Sequence, residues 1–295
     1  MPNKISFVIA TVDRDEQLQK CIFSIEKAHE NNASIPVEIL VVIQKAKQPK
    51  ELRLRFPEIT NIYYLDKLGL SVARNFAIDK STGDYLVFLD DDASVDGDFI
   101  DVLLKNILMY SKVSAFCGKL WDPNKQAPFI SIFCDNKSKL LRRLDYQYFM
   151  GSAHILSRKV IKKIGGYNER FGVGSKYYCG GEESEYFIRL KVAKEQVLYL
   201  PDLIFFHPII LPTYKYAYNY GHAFGAMMVK NCVNDKFYFY VYIFIILKTV
   251  SKLSVRLLQK LFLREKYKDL NERYHYDAWL RGILKGIKDF IIDEL

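Results

Sequence analysis

Ser81-Thr82-Gly83-Asp84-Tyr85-Leu86-Val87-Phe88-Leu89-Asp90-Asp91-Asp92 is the stretch that decides the fold class. A polar turn with a glycine leads into an aromatic and branched run, and three carboxylates close it. An apolar run without alternation fits a strand covered on both faces, as in parallel sheets. Three adjacent carboxylates repel one another, a cost that a bound divalent cation would remove. Hard cations such as Mn2+ or Mg2+ take oxygen ligands and bridge carboxylates to phosphates. In an extended segment Asp90 and Asp92 fall on one side and Asp91 on the other. Alone, the triplet also reads as an acidic turn before a helix.

Working outward, residues 5–10, 37–43 and 61–65 are further β-rich runs, and residues 16–28 and 71–80 carry helical spacing. Strand–helix alternation implies right-handed β-α-β units and a mostly parallel sheet, an α/β fold. Ligands in such sheets gather at the carboxyl ends of the strands, where the triplet lies. Beyond residue 100 the spacing predicts helices over 98–111, 157–164 and 182–194, and strands over 153–156, 197–200 and 203–206. Residues 171–181, rich in Gly and Tyr, read as a mobile loop.

The chain has 295 residues and a net charge of +9, which suggests an anionic partner. Six basic residues and no acidic ones lie between 236 and 264, so the excess is local. Residues 237–247 are all apolar, too few to span a bilayer, which takes about 20. Lys248, Lys252, Arg256 and Lys260 then recur every four residues beside Leu253, Leu257 and Leu261. Such a basic amphipathic helix fits an anionic membrane interface; a solvated cap or a helix on a partner subunit is the alternative. The expected division is therefore 1–235 and 236–295. The five cysteines contain no C-x-x-C pair and read as thiols in a reducing compartment. The first apolar run is short and ends at Asp13, unlike a signal peptide. The expectation is a cytoplasmic protein, peripheral on the inner face of the cell membrane.

Gly69-Leu70-Ser71-Val72-Ala73-Arg74-Asn75, followed by the opening stretch, resembles glycosyltransferase family 2, and so does Ile5-Ser6-Phe7-Val8-Ile9-Ala10-Thr11 with Asp13 and Arg14. The resemblance covers roughly residues 4 to 235. It implies a GT-A fold and an inverting, metal-dependent transfer from a nucleoside diphosphate-sugar donor. The acceptor would be a hydroxyl of a glycan or glycolipid, in surface polysaccharide synthesis. Asp90, Asp92 and His207 would hold Mn2+ or Mg2+. Gly180-Gly181-Glu182-Glu183-Ser184-Glu185 looks like the family's acidic motif before the acceptor-side helix and puts the catalytic base at Glu183, with Glu182 its rival. A carboxylate at a helix start can take a proton from an incoming hydroxyl, although acidic first-turn residues also simply suit the helix dipole.

Thr11, Asp13, Arg14, Gln44, Arg74, Asp90 and Asp91 are the donor-side candidates. Gln44 stands where the family usually has an Asp for the base. Arg74 could pair with a diphosphate or with an Asp of the triplet. Gly151, Ser152, Gly181 and Glu185 are the acceptor-side candidates, and Trp121 and Tyr177-Tyr178 could stack on sugar rings. Tyr220-Gly221-His222-Ala223-Phe224-Gly225 and Arg281-Gly282-Ile283-Leu284-Lys285-Gly286 look like segments of membrane-associated polysaccharide glycosyltransferases. The rivals fit less well. A pyrophosphorylase would want a Gly-rich phosphate loop after the first strand, and no nucleic-acid motif accompanies the charge. A catalytically silent membrane scaffold is the non-enzyme reading. Oligomeric state is not legible.

Overall fold

The carboxyl ends of four strands meet on one edge of a mixed sheet, and this edge is where the chemistry-bearing residues collect. A computed structural model describes residues 2–12, 14–44, 57–134, 136–209, 211–262 and 275–294. Two compact units are formed, the first from Met1–Glu169 with Glu182–Ile209 and the second from Arg170–Gly181 with Ile210–Leu295. Residue 236, where the composition changes, lies within the second.

In the first unit, β1 (Ile5–Thr11), β2 (Val37–Gln44), β3 (Thr60–Leu65) and β4 (Tyr85–Asp90) are joined by α1 (Asp15–Asn31) and α2 (Leu70–Lys80). They pair in parallel in the order β3-β2-β1-β4. All eight residues of β2 are buried, as its unbroken apolar run predicts. Glu38 is tolerated there because Lys4 (2.7 Å), the Ser6 hydroxyl (2.6 Å) and the Thr82 N–H (2.6 Å) all bind its carboxylate. Burial alone would raise its pKa, but these partners hold it at about 2. Its folded pKa is depressed, so the stability it contributes is present above the ordinary carboxylate range and lost as pH falls towards 2.

Beyond β4 come β5 (Ser94–Val95), α3 (Phe99–Met109), β6 (Ala115–Asp122), β7 (Ala127–Pro128), β8 (Lys139–Leu140), β9 (His154–Ser157), α4 (Arg158–Ile164), α5 (Glu182–Val192) and β10 (Val197–Phe206). β9 runs antiparallel between β4 and β6, and β6 pairs in parallel with β10. Hence β1, β4, β6 and β10 share a direction, and Thr11, Asp90, Asp122 and Phe206 end at the same edge. The two strands expected over 197–200 and 203–206 are one, with a register shift between Leu200 and Ile204. Pro201 cannot donate to the ladder, and Gly118 leaves room for the bulge, since a Cβ there would overlap the Leu203 carbonyl.

The second unit holds α6 (Tyr214–Asn234), α7 (Phe237–Phe262) and α8 (Tyr276–Glu294). Gly221 and Gly225 face the Trp279 and Ile283 carbonyls, while Gly282 and Gly286 face those of Tyr218 and His222. A Cβ at any of the four would collide with backbone. The two G-x-x-x-G segments are thus the reciprocal faces of a close helix crossing between α6 and α8. α7 packs on α6 through Tyr242, whose hydroxyl accepts from Asn231 at 3.0 Å. Its other face exposes Phe239, Tyr240, Ile243, Phe244, Leu247 and Val250. No helix among the described residues is long and apolar enough to cross a membrane.

Candidate active site

The triplet lies in the turn from β4 to β5, and β5 decides what it meets. Ser94 and Val95 pair with Phe206 and Phe205 at the end of β10. That short pairing brings the residue after β10, His207, to the triplet. His207 Nε2 lies 3.1 Å from Asp92 Oδ1 and 3.8 Å from Asp90 Oδ2. Its Nδ1–H donates to the Pro208 carbonyl at 2.9 Å, so the ring presents Nε2 as the ligating atom. Burial disfavours charge on His207, but Asp92 and Asp90 more than offset it and raise its pKa. Burial likewise disfavours charge on Asp92, which its bond to His207 nevertheless holds below the usual carboxylate range.

One ligand atom each from Asp90, Asp92 and His207 fall within 4.8 Å of one another. Two carboxylate oxygens and a neutral imidazole nitrogen suit Mn2+ and also accommodate Mg2+. The donor set therefore fits a hard divalent cation. Asp91 stands outside this cluster, and since β4 ends at Asp90 the turn, not the alternation expected of a strand, sets its direction. It is 6% exposed, accepts from the Thr11 hydroxyl at 2.5 Å and pairs with Arg14 at 3.1 Å. Arg14 also reaches Asp92 at 3.1 Å, so Thr11 and Arg14 tie the end of β1 to the triplet. Asp13 lies outside the described residues.

Arg74 bridges the triplet and α5. Only 1% exposed, it donates to Asp90 (3.2 Å), to Glu182 (3.2 Å) and to the Gly151 carbonyl (2.7 Å). Its planar fork thus forms an internal three-way bridge. Asn75, next in sequence, exchanges bonds with the Tyr167 backbone and donates to Glu169 at 3.0 Å. Adjacent residues of α2 thereby hold both Glu169 and Glu182.

Glu182, buried and paired with Arg74, is spoken for. Glu183 is only half-buried, yet loss of water around its carboxyl and the neighbouring Glu182 charge raise its pKa well above the ordinary value. Ser152 is buried, and Gly151 offers its carbonyl to Arg74. Gly181 stands at φ 77°, a left-handed conformation suited to glycine, directly before α5.

Gln44 is buried and its amide donates to the Lys67 (2.8 Å) and Gly69 (3.0 Å) carbonyls, so its N–H2 group closes the turn before α2. Glu185 is fully buried and bound to Arg189 at 3.0 Å. Tyr178 is buried, while Tyr177 is exposed.

Sequence reasoning missed two supporting residues. Asp122, at the end of β6, accepts from the Ile209 N–H at 2.9 Å and from Asn124 at 2.8 Å, and so fixes the segment that carries His207. His154 is buried under the site, stacked on Phe88 and bonded to the Tyr167 hydroxyl at 2.5 Å. Burial first, then the nearby Arg74 charge, push its pKa down to about 3, so it stays neutral. A histidine spaced as a strand residue gives no sequence signal for such a role.

The family description "Glycosyl transferase family 2" matches residues 6–165, more than half of the chain. A glycosyltransferase of Streptococcus pneumoniae, GlyA, is 30% identical over 112 residues, 37% of this chain and 16% of that protein. The succinoglycan biosynthesis protein ExoM of Rhizobium meliloti is 56% identical over 37 residues, 12% of each chain. The chain thus spans a small part of the length of these two relatives. Among solved structures, the mannosyltransferase PcManGT of Pyrobaculum calidifontis, in complex with GDP-Man and Mn2+, superposes with a TM-score of 0.61. That match covers 98% of this chain and 88% of the other at 12% identity, a likeness of fold. The first unit has the GT-A architecture.

Proposed function

Because the chain belongs to glycosyl transferase family 2, we propose that it moves a sugar from a nucleoside diphosphate donor to a hydroxyl of a glycan or lipid-linked glycan, with inversion. The observation that carries this reading is the meeting of Asp90, Asp92 and His207 at the strand edge, linked through Arg74 to the acidic start of α5. The Mn2+ and GDP-Man bound by PcManGT, and the naming of ExoM for polysaccharide synthesis, support it. Asp90, Asp92 and His207 would hold a divalent cation, which when bound neutralises charge on the leaving diphosphate.

Glu183 is the base. The acceptor oxygen bonds to the anomeric carbon from the face opposite the diphosphate. The bond from that carbon to the diphosphate oxygen breaks, and Glu183 takes the hydroxyl proton. Glu182 cannot do this while Arg74 occupies it. Screening nucleotide-sugars with glycan and lipid-linked acceptors tests the reading: we expect one donor to yield glycoside and free nucleoside diphosphate. Binding of a donor without turnover on any acceptor would favour the silent scaffold.

The second unit supplies the membrane contact. The exposed apolar face of α7, edged by exposed Lys248 and Lys252, fits the anionic cytoplasmic face of a membrane; the side chains of Arg256, Lys260 and Arg264 lie outside the described set. Flotation with vesicles containing anionic lipid should fall at least tenfold when Tyr240, Phe244 and Leu247 are all changed to Glu. Undiminished flotation of that variant would sink the membrane assignment.

A further inference from the structure

β10 ends at Phe206, and past it the chain needs a support other than the strand ladder. The His207 N–H donates to the Trp121 carbonyl at 2.9 Å, but Pro208 has no N–H with which to continue. Asp122, the last residue of β6 and 1% exposed, supplies the next hold. One of its oxygens accepts from the Asn124 (2.8 Å) and Lys125 (3.1 Å) N–H groups and so forms the turn into β7. The other accepts from the Ile209 N–H at 2.9 Å.

The Ile209 N–H and the Pro208 carbonyl belong to one rigid, planar peptide and point in opposite directions. Asp122 holds the N–H end, and His207 Nδ1–H donates to the carbonyl end at 2.9 Å. The carboxylate thus reaches the imidazole through a single peptide. A metal-ligating histidine gains orientation and basicity from what its second N–H meets. Here that group is a carbonyl with a carboxylate behind it, and bonds in such a chain polarise one another. Just past β7, the Phe129 ring meets His207 edge-on, at 5.4 Å and 81°, which restricts rotation of the imidazole. All of these groups lie within the first compact unit.

We propose that Asp122 and Phe129 are positioning residues for the divalent cation, both acting through His207. Asp122 works through the Pro208–Ile209 peptide, and Phe129 works against the ring. This rests on the reading of His207 as a cation ligand. Among the described residues, neither Asp122 nor Phe129 bonds to Asp90 or Asp92.

The test is Mn2+ titration calorimetry on the full chain with a nucleoside diphosphate present. Asp122→Asn keeps an amide oxygen for the turn but sets an N–H2 group against the Ile209 N–H. It should weaken Mn2+ binding about tenfold or more, and the Ile209 amide should exchange its hydrogen faster even without metal. Phe129→Leu, which keeps an apolar side chain but loses the ring, should weaken binding about threefold. In a His207→Ala background neither change should weaken it further, because both effects pass through the imidazole. Wild-type affinity in Asp122→Asn, or an equal loss on top of His207→Ala, overturns the proposal. If Asp122→Asn does not fold, Phe129→Leu and its cycle with His207→Ala decide. Mn2+ affinity unchanged by His207→Ala alone would instead remove His207 from the cation site, and the proposal would fall with that reading.

Discussion

Glu183→Gln is expected to lower turnover by about 10²–10⁴-fold, the usual worth of a positioned general base, with the donor KM unchanged. Lost hydration and the adjacent Glu182 charge raise the Glu183 pKa well above the ordinary carboxylate value. A base works deprotonated, so the wild-type rate should climb with pH and level off only above that raised pKa. The acid limb should therefore sit above the ordinary range of about 4.3, and it should vanish in the variant. Stability moves the other way. A carboxyl with a raised folded pKa binds its proton more tightly when folded, so the fold loses stability as pH rises from the ordinary value through the raised one. Glu183→Gln removes that loss. Near neutral pH the variant should melt higher than the wild type while transferring far less sugar, a trade common at catalytic sites. A variant with full activity would exclude Glu183 as the base.

Arg74→Met carries the second large effect, on stability. The guanidinium is 1% exposed and answers Asp90, Glu182 and the Gly151 carbonyl together. Removing one partner of a buried ion pair leaves the other charge unpaired, at a cost of about 3–5 kcal/mol. Denaturant unfolding at neutral pH should show that loss. Arg74→Lys should restore little of it, because one ammonium cannot span three acceptors as a flat fork does. Adding Glu182→Gln to Arg74→Met should recover part of it, since a buried charge is then removed. A loss under about 1 kcal/mol would mean that water reaches Asp90 and Glu182 freely.

What was legible in the sequence was local. β1, β2 and β4 declare themselves because strands covered on both faces are apolar at consecutive positions. Asp90 and Asp92 face one cluster although β4 ends at Asp90 and the turn, not strand alternation, places Asp92. The meeting of His207 with Asp92 was not legible from spacing. It depends on β5, two residues that form a strand only because β10 offers an edge to pair with. The family resemblance had suggested that His207 would reach the metal without giving this cause. The internal partners of Arg74 and Gln44 were not legible either: each donates to buried acceptors that only the tertiary fold brings near. The segments 220–225 and 281–286 carry a glycine spacing whose meaning lies in the partner helix, whose carbonyls leave no space for a Cβ.

The cation site is the centre of the functional reading, and Mn2+ binding tests it most directly. Titration calorimetry in the presence of a nucleoside diphosphate should show one Mn2+ bound by the wild-type chain. Asp92→Asn should bind it at least about tenfold more weakly, as changes around metal ligands do. Equal Mn2+ affinity in the two proteins would remove Asp92 from the cation site and the reading with it.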